Sequence, residues 1–249
     1  MKPLTTLLHS VWIAENDLRQ SFRSVRHVVW SLLFPIFMMF TFSFRYGAAG
    51  RDSDFIEFLI PGIVGMTAMF GSINETMSIV WEKSVGVFDR ILAAPVSSTS
   101  IIVGKTMAGA VMGATSAIAL LIISRVLYGV SFANIIAVLL IILLASFSFT
   151  GIGTIISGLA SEPREAMMLS NLLRVPMMFL SGVFFKVNDM PMPLPYIARA
   201  LPLTYTTEAL RAIQIGNTSI FFVDAMVLFV YTIGAMLLGS QVLMRILTR

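Results

Sequence analysis

The triplet Gly104-Lys105-Thr106 matches the last three residues of a phosphate-binding loop, the motif with which many proteins bind ATP. A P-loop needs a further glycine five positions before the glycine of that triplet, so that its backbone N–H groups can surround the phosphates. Thr99 occupies this position, and the segment leads into an apolar stretch rather than following a buried strand. We therefore expect that this chain does not itself bind ATP or magnesium.

Metal and thiol chemistry find little support in the composition. The chain has no cysteine, which excludes disulfides, zinc–thiolate sites and iron–sulfur clusters. His9 and His27 are far apart in the sequence, and the 17 methionines are not clustered into a copper-binding motif. We expect no metal site, no cofactor on this chain and no catalytic residue.

Three ionisable residues, Glu75, Arg174 and Asp224, lie inside long apolar stretches. An unpaired charge in hydrocarbon costs several kcal/mol, so a charged residue in such a stretch is a functional candidate by default. The alternative is that each side chain extends to the nearer membrane interface, which the three positions permit. Both interpretations stay open.

The elements that position these residues must form an all-α integral membrane fold. Of the 249 residues, 57% are hydrophobic and 12% are charged, against about 25% charged in soluble domains. A helix needs about 20 apolar residues to cross a bilayer. The fourth apolar stretch is long for one upright span, and we expect a tilted or kinked helix there rather than a hairpin. The six predicted spans are residues 28–44, 58–80, 101–124, 132–159, 168–185 and 220–246.

The distribution of positive charge predicts the orientation. With six spans and both termini in the cytoplasm, 11 of the 17 Lys and Arg residues lie on the cytoplasmic side and 6 outside. This agrees with the excess of positive charge found in cytoplasmic loops. We expect a multi-pass protein of the cell membrane whose residues 28–249 form the transmembrane domain.

Residues 1–27 have the pattern of an amphipathic interfacial helix. Apolar residues recur at helical spacing, and Arg19, Arg23 and Arg26 lie on another face. A helix of this kind lies in the membrane interface with its apolar face in the lipid and its arginines at phosphate headgroups. The alternative is a cytoplasmic helix packed on the protein.

A short charged segment, residues 81–95, separates the second and third predicted spans. At helical spacing it places Val85 and other apolar residues on one face and Glu82 on the opposite face, and a proline ends the helix. Amphipathicity alone leaves two interpretations open: a helix that docks on a cytoplasmic partner, or a solvated loop helix. The candidate coupling residues are Glu82, Lys83, Gly86, Val87, Phe88, Asp89, Arg90, Leu92 and Pro95.

This segment, continued to Gly104-Lys105, resembles the Glu, Gly-Thr-Leu-Glu, Leu-pair, Pro, Ser and Gly-Lys pattern of the membrane subunits of ABC-2 type exporters. The chain departs from that pattern at Val87 and Phe88, where many members have Thr and Leu. A second match toward the C-terminus comprises Pro176, Leu180-Ser181-Gly182-Val183-Phe184-Phe185, Pro191, Leu201-Pro202-Leu203-Thr204-Tyr205 and Leu210-Arg211. The likeness covers nearly the whole chain and is strongest to the small permeases of daunorubicin-resistance and nodulation-factor exporters.

The resemblance implies a mechanism and partners. In that family, two separate ATP-binding subunits drive a pair of permeases, either two identical copies or a copy and a sister subunit. The helix at residues 82–92 would be the coupling helix that transmits their closure, and ATP and magnesium would be bound on the partner. No nucleic acid is expected as a partner.

The outer end, residues 187–219, is interrupted by prolines and predicts two short helices near residues 196–201 and 206–215. The resemblance implies that they are re-entrant and close the path from outside, with Pro202, Thr204 and Tyr205 among the residues of this gate. Glu208 and Arg211, three residues apart, are predicted to pair. The alternative is an ordinary extracellular cap.

The sequence therefore favours the permease subunit of an ATP-driven exporter of an amphipathic, drug-like or lipid- or saccharide-linked molecule. A secondary transporter driven by an ion gradient is the alternative. That mechanism predicts interrupted spans with paired charges at the bilayer midplane, whereas the charges of this chain lie nearer the ends of its spans.

Overall fold

The computed structural model of the chain describes residues 3–23, 32–42, 53–87 and 97–247. Every regular element within these ranges is helical, which confirms the predicted all-α class for them. A single 3-10 turn, Val187–Asp189, precedes α7 in this part of the chain. The helices are α1 Pro3–Arg23, α2 Leu32–Phe42, α3 Ser53–Ser84, α4 Ser98–Tyr128, α5 Ile135–Leu159, α6 Pro163–Leu180, α7 Leu194–Arg199, α8 Pro202–Gln214 and α9 Thr218–Leu247.

Four of the described helices are long and apolar enough to cross a membrane. They are α3, α4, α5 and α9, and they coincide with the second, third, fourth and sixth predicted spans. The helix α2 is apolar but shorter, and both ends of the first predicted span lie outside the described residues. The count of six spans stays a prediction.

The helix α6 differs from the fifth predicted span. It begins at Pro163 and ends at Leu180, about one turn earlier than predicted at each end. Proline is favoured in the first turn of a helix, where its missing N–H group removes no hydrogen bond, and this accounts for the earlier start. The shift brings the charged Arg164 and Glu165 into the first turn of α6, so this helix is less apolar than the span predicted there.

The long apolar stretch at the fourth predicted span forms one continuous helix, α5, as expected, and not a hairpin. Asn134 begins the helix, since its side-chain oxygen accepts hydrogen bonds from the N–H groups of Ile136 and Ala137, each at 3.1 Å. The hydroxyls of Thr150 and Thr154 donate to the carbonyls one turn earlier, at 2.7 and 2.8 Å. These two hydroxyls are thereby satisfied within the helix, whereas those of Ser146 and Ser148 are buried without a hydrogen-bond partner among the described residues. The helix continues through all four positions.

The helix α3 lies at the centre of the bundle. In an apolar segment of 18 residues within α3, 78% of the residues are buried. In the corresponding segment of α9 only 17% are buried, so α9 presents most of its surface outward. Small residues allow close packing of α3 with α4: a Cβ atom at Gly113 would overlap the Ser72 hydroxyl and lie 2.8 Å from the Ala68 carbonyl oxygen. Such small-residue contacts are the usual means by which membrane helices approach closely.

The two short outer helices are confirmed, as α7 and α8, at bounds a few residues from those predicted. The helix α8 is buried against α3, α5 and α9, and Leu203, Ala209 and Leu210 in it have no exposed surface. This helix is therefore part of the packed bundle, not a loosely attached cap.

Candidate functional site

The N-terminal helix α1 packs closely on the start of α4. A Cβ atom at Gly104 would lie 2.8 Å from the Cβ of Ile13 and 2.9 Å from the carbonyl oxygen of Ser10, so only glycine permits this approach. The face of α1 that is buried carries the small or polar residues Ser10, Ala14 and Asp17. The contact brings Asp17 over the first turns of α4.

A buried lysine joins three helices at this place. The Nζ of Lys105, in α4, lies 3.0 Å from Oδ2 of Asp17 in α1 and 2.5 Å from Oε1 of Glu82 in α3. Only 4% of the Lys105 side chain is exposed, and the two carboxylates are largely buried. We call Asp17, Glu82 and Lys105 the lysine junction.

The three charges of the lysine junction are costly to bury. Burial raises the pKa of Asp17, and the positive charge of Lys105 opposes that rise. Charges removed from water are tolerated only when their partners are well placed, and removal of one partner of such a group is strongly destabilising. The three side chains therefore hold α1, α3 and α4 in one arrangement.

The structure shows how Glu82 and Val85, predicted to lie on opposite faces of one helix, are exposed. Val85 is 55% exposed and the Glu82 side chain only 16%. The reason is that α3 continues without a break to Ser84, so Glu82 and Lys83 belong to its last turn and Glu82 points toward α4. Lys83 is exposed.

Gly86 ends this helical run. Its φ of 71° is in the left-handed region, and its N–H group donates to the carbonyl of Lys83 at 3.2 Å, as at glycine helix caps. The chain therefore changes direction at Gly86, and Val87 follows it. The remaining predicted coupling residues lie outside the described residues: Phe88, Asp89, Arg90, Leu92 and Pro95, together with the headgroup candidate Arg26.

Glu75, one of the three predicted intramembrane candidates, faces α1. It is 3% exposed, and the hydroxyl of Ser21 donates to its two carboxylate oxygens at 2.9 and 2.7 Å. Glu75 and Ser21 line a groove of about 450 Å³ between α1, α3 and α6, which also contacts Asp17 and Glu82 of the lysine junction. The groove thus brings Glu75 beside the predicted coupling residue Glu82.

Arg174 is buried between α6 and α3. Its guanidinium donates to the side-chain oxygens of Asn74, at 2.6 Å, and of Asn171, at 3.0 Å, and lies 5.0 Å from the ring centroid of Phe70. With 6% of the residue exposed, the side chain is enclosed by protein rather than extended to an interface. Asp224, in α9, is likewise 5% exposed.

At the outer end, Arg211 fixes α8 to its neighbours. Its Nε donates to the Phe58 carbonyl at 3.1 Å, its Nη2 donates to the Val183 carbonyl at 3.2 Å, and its Cζ lies 3.5 Å from the ring centroid of Phe58. Among the described residues, Arg211 forms no ion pair with Glu208, so the predicted pair is wrong. Val183 follows the end of α6, where its carbonyl has no helical partner and attracts the guanidinium instead.

The other predicted gate residues connect α7 to α8. The Thr204 hydroxyl donates to the Ala198 carbonyl at 2.5 Å, and the Tyr205 hydroxyl donates to the Arg199 carbonyl at 2.7 Å. Pro202 begins α8. These bonds make α7 and α8 one unit, which Arg211 attaches to α3.

Sequence reasoning missed that Asp17 and Lys105 belong to the site. Lys105 entered the sequence analysis as part of a P-loop-like triplet and of the Gly-Lys family motif, although a lone lysine near the start of a predicted span also needs a partner if it is buried. The position of Lys105 in the sequence therefore indicated a buried partner, but it did not indicate that the partners are Asp17 and Glu82. Among the described residues, no group of three or more His, Cys, Asp or Glu is placed to hold a metal ion.

Comparison with known proteins identifies the family. Residues 10–215 match the family described as "ABC-2 type transporter". The matched range includes α1 from residue 10 onward and all of α2 to α8, and therefore the lysine junction, Arg174 and Arg211.

Three similar proteins illustrate the range of relatives. The chain is 24% identical over 192 residues to the daunorubicin resistance ABC transporter permease protein DrrB1 of Streptomyces coeruleorubidus, covering 75% of this chain and 68% of that protein. It is 25% identical over 214 residues to nodulation protein J of Rhizobium meliloti (strain 1021), covering 83% and 82%. It is 25% identical over 169 residues to the probable multidrug ABC transporter permease YbhR of Escherichia coli (strain K12), covering 67% and 46%.

Proposed function

The chain belongs to the ABC-2 type transporter family and is a multi-pass membrane permease, and from this premise we propose that it serves an ATP-driven exporter. It works with two separate ATP-binding subunits, which hold ATP and magnesium, and with a second permease, either a copy of itself or a sister subunit. It resides in the cell membrane with both termini in the cytoplasm. It moves an amphipathic, drug-like or lipid- or saccharide-linked molecule outward.

The observation that carries the proposal is the lysine junction at the end of α3. The segment expected to contact the ATP-binding subunits, residues 82–95, begins at Glu82, and Glu82 is bonded to Lys105 at 2.5 Å. A displacement of this segment pulls on the last turn of α3. The pull acts directly on α4 through Lys105 and on α1 through Asp17.

The lysine junction suits the transmission of a movement because its buried charges are costly to separate. Separation of a buried ion pair leaves an uncompensated charge in a medium of low dielectric constant. Gly86, in the left-handed conformation, changes the direction of the chain two residues after the end of α3. The docking part of the coupling segment then lies beyond Gly86, and Glu82 is the residue that connects it to the spans.

The outer end supplies the second element of the proposed cycle. We assign α7 and α8 as the unit that closes the path from outside, as implied for this family. Its attachment to α3 through Arg211 supports this assignment, because α3 also carries Glu82 at its other end. A movement of α3 that begins at Glu82 is thereby transmitted to α8 through Arg211.

The absence of cysteine from the chain allows a test that does not require the substrate. Tyr196→Cys places a single thiol on α7 at a residue that is 66% exposed. The permease is co-expressed with its ATP-binding subunit, reconstituted in liposomes and labelled with a maleimide, with and without a non-hydrolysable ATP analogue. We expect the analogue to change the labelling rate severalfold in the parent and not in the Glu82→Gln variant, while the subunit still co-purifies and hydrolyses ATP.

The control for this experiment is Arg125→Gln, an exposed residue at the opposite end of α4, which should respond as the parent does. The exchange Glu82→Lys with Lys105→Glu restores opposite charges at these two positions, and Asp17→Asn is added because Asp17 would otherwise face a carboxylate at position 105. This triple variant should recover part of the response. An unchanged response in Glu82→Gln would remove the lysine junction from the coupling path. Labelling that follows an imposed ion gradient instead of the nucleotide would favour the secondary transporter.

A further inference from the structure

An apolar groove of about 530 Å³ lies between α1 and α4, on the side of α1 away from the groove beside Glu75. Val11, Ala14, Leu18 and Phe22 line it from α1, at the spacing of one helical face. Met107 and Val111 line it from α4. The walls are therefore aliphatic and aromatic, with a length of about three helical turns.

Several large apolar side chains of α1 are directed away from the protein, whereas Ile13 packs inward on α4. Leu8, Val11, Trp12 and Phe22 are 54%, 50%, 70% and 47% exposed, whereas the buried face carries small and polar residues. This is the reverse of a soluble surface helix, which buries its large apolar residues. The arrangement supports the interfacial position predicted for α1, in which lipid tails cover this face.

Positive charge lies at the rim of the groove. Arg19 and Arg23 border it and are exposed, and they are four residues apart, which places them on neighbouring turns of one helix face. Glu15 pairs with Arg19 at 2.6 Å, in an exposed contact of small energetic weight. Arg23 adds a second positive charge, so the rim has one positive charge in excess.

We propose that this groove holds one anionic phospholipid of the leaflet in which α1 lies. The phosphate lies between Arg19 and Arg23, and one acyl chain lies along Leu18, Met107 and Val111. The apolar walls match an acyl chain, and the excess charge at the rim matches a phosphate with no compensating amine. The inference requires that the chain is embedded in a membrane and is independent of what it exports.

Such a lipid would act on the lysine junction through α1. The acyl chain would contact α1 at Leu18, the residue that follows Asp17 of the inner face. A bound lipid therefore presses α1 onto α4 and stabilises the position of Asp17 beside Lys105. Removal of anionic lipid is expected to loosen α1 first.

The test uses the full-length chain, stripped of lipid in detergent, with phosphatidylglycerol and phosphatidylcholine as the two probes. Native mass spectrometry measures how much of each is retained per chain. The parent should prefer phosphatidylglycerol about fivefold, because the one positive charge in excess contributes about 1 kcal/mol near an anionic lipid. Arg19→Gln combined with Arg23→Gln should abolish this preference, and Arg125→Gln, an exposed arginine of α4 outside the groove, should keep it.

A second variant tests the apolar part without changing charge. Val111→Trp fills the groove at a residue that is 39% exposed, so folding is little affected, and it should reduce retention of both lipids severalfold. Val126→Trp, 77% exposed at the far end of α4, is the matched control. Equal retention of the two lipids by the parent, or retention unaffected by both the arginine and Val111 variants, would overturn the proposal. Displacement of phosphatidylglycerol by millimolar inorganic phosphate would show an anion site and not a lipid site.

Discussion

Lys105 Nζ lies 2.5 Å from Oε1 of Glu82, and this contact joins the end of one apolar helix to the beginning of the next. The two residues are 23 positions apart, and the segment between them is the one expected to contact the ATP-binding subunits. The contact closes that segment into a loop whose base is held by an ion pair. Asp17, 3.0 Å from the same nitrogen atom, adds α1 to the base.

The first prediction concerns the stability of this base. Lys105→Met leaves two largely buried carboxylates without their cation and should destabilise the fold by about 3–5 kcal/mol. Glu82→Gln leaves Lys105 bonded to Asp17 and should cost less, about 1–3 kcal/mol. Thermal unfolding of the purified chain in detergent, followed by circular dichroism, measures the stability of each variant relative to the parent.

A double-mutant cycle then tests whether the two residues interact. The combination of both substitutions should cost less than the sum of the single effects, with a coupling free energy of about 0.5–3 kcal/mol. Additive effects would mean that the 2.5 Å contact contributes nothing to stability.

The second prediction concerns the close contact of α1 with α4. Gly104→Leu introduces a side chain where even a Cβ atom would lie 2.8 Å from Ile13. Overpacking of this kind costs about 1–3 kcal/mol and should displace α1. Trypsin should then cleave after Arg19 and Arg23 severalfold faster than in the parent, as measured by the rate at which the N-terminal peptides appear.

Gly234→Leu is the matched control, because a Cβ atom at Gly234 meets no atom within 4 Å. It should leave the cleavage rate unchanged. If both glycine variants are cleaved like the parent, α1 does not depend on Gly104 for its position.

The long apolar helices could be predicted from the sequence because a span is a local property. Length and hydropathy suffice for α3, α4, α5 and α9, since each must satisfy its own backbone hydrogen bonds and bury apolar surface in lipid. The ends were less predictable: α6 begins early at Pro163, and α3 continues to Ser84 beyond the predicted span.

The contacts of the site were not predictable in the same way. Lys105 bonds to Asp17, 88 positions away, and Arg211 bonds to the carbonyl of Phe58, 153 positions away. Helical periodicity shows which residues share a face, but it does not show which helices pack together. The rule that residues three apart interact predicted Glu208 as the partner of Arg211, and two carbonyl oxygens on other elements take its place.

The third prediction concerns Arg174. Arg174→Lys keeps the charge, but an ammonium group cannot reach Asn74 and Asn171 in the fork geometry of a guanidinium and also lie against Phe70. We expect a loss of about 1.5–3 kcal/mol, the range for hydrogen bonds to charged groups, measured as a lower unfolding temperature. Arg125→Gln, at an exposed residue, should change stability by less than about 0.5 kcal/mol. An unchanged unfolding temperature for Arg174→Lys would show that the two asparagine contacts do not stabilise the packing of α6 on α3.

The fourth prediction concerns the attachment of the outer helices. Arg211→Lys removes the planar group that bonds the carbonyls of Phe58 and Val183 and stacks on the Phe58 ring. Because one ammonium group cannot replace the three contacts, α8 should separate more readily from α3. In a Tyr196→Cys background, maleimide labelling of α7 without nucleotide should then become severalfold faster, approaching a rate that no longer responds to the ATP analogue.

Arg199→Gln serves as the control for the outer helices, because Arg199 is exposed and only its backbone carbonyl takes part in the contact with Tyr205. It should keep both the slow rate and the response to nucleotide. If Arg211→Lys also keeps them, α8 is fixed by the packing of Leu203 and Leu210 alone, and the arginine is not what connects the outer end to α3. If the rate rises in Arg211→Lys while the response to nucleotide persists, the arginine closes the outer end without transmitting the movement of α3.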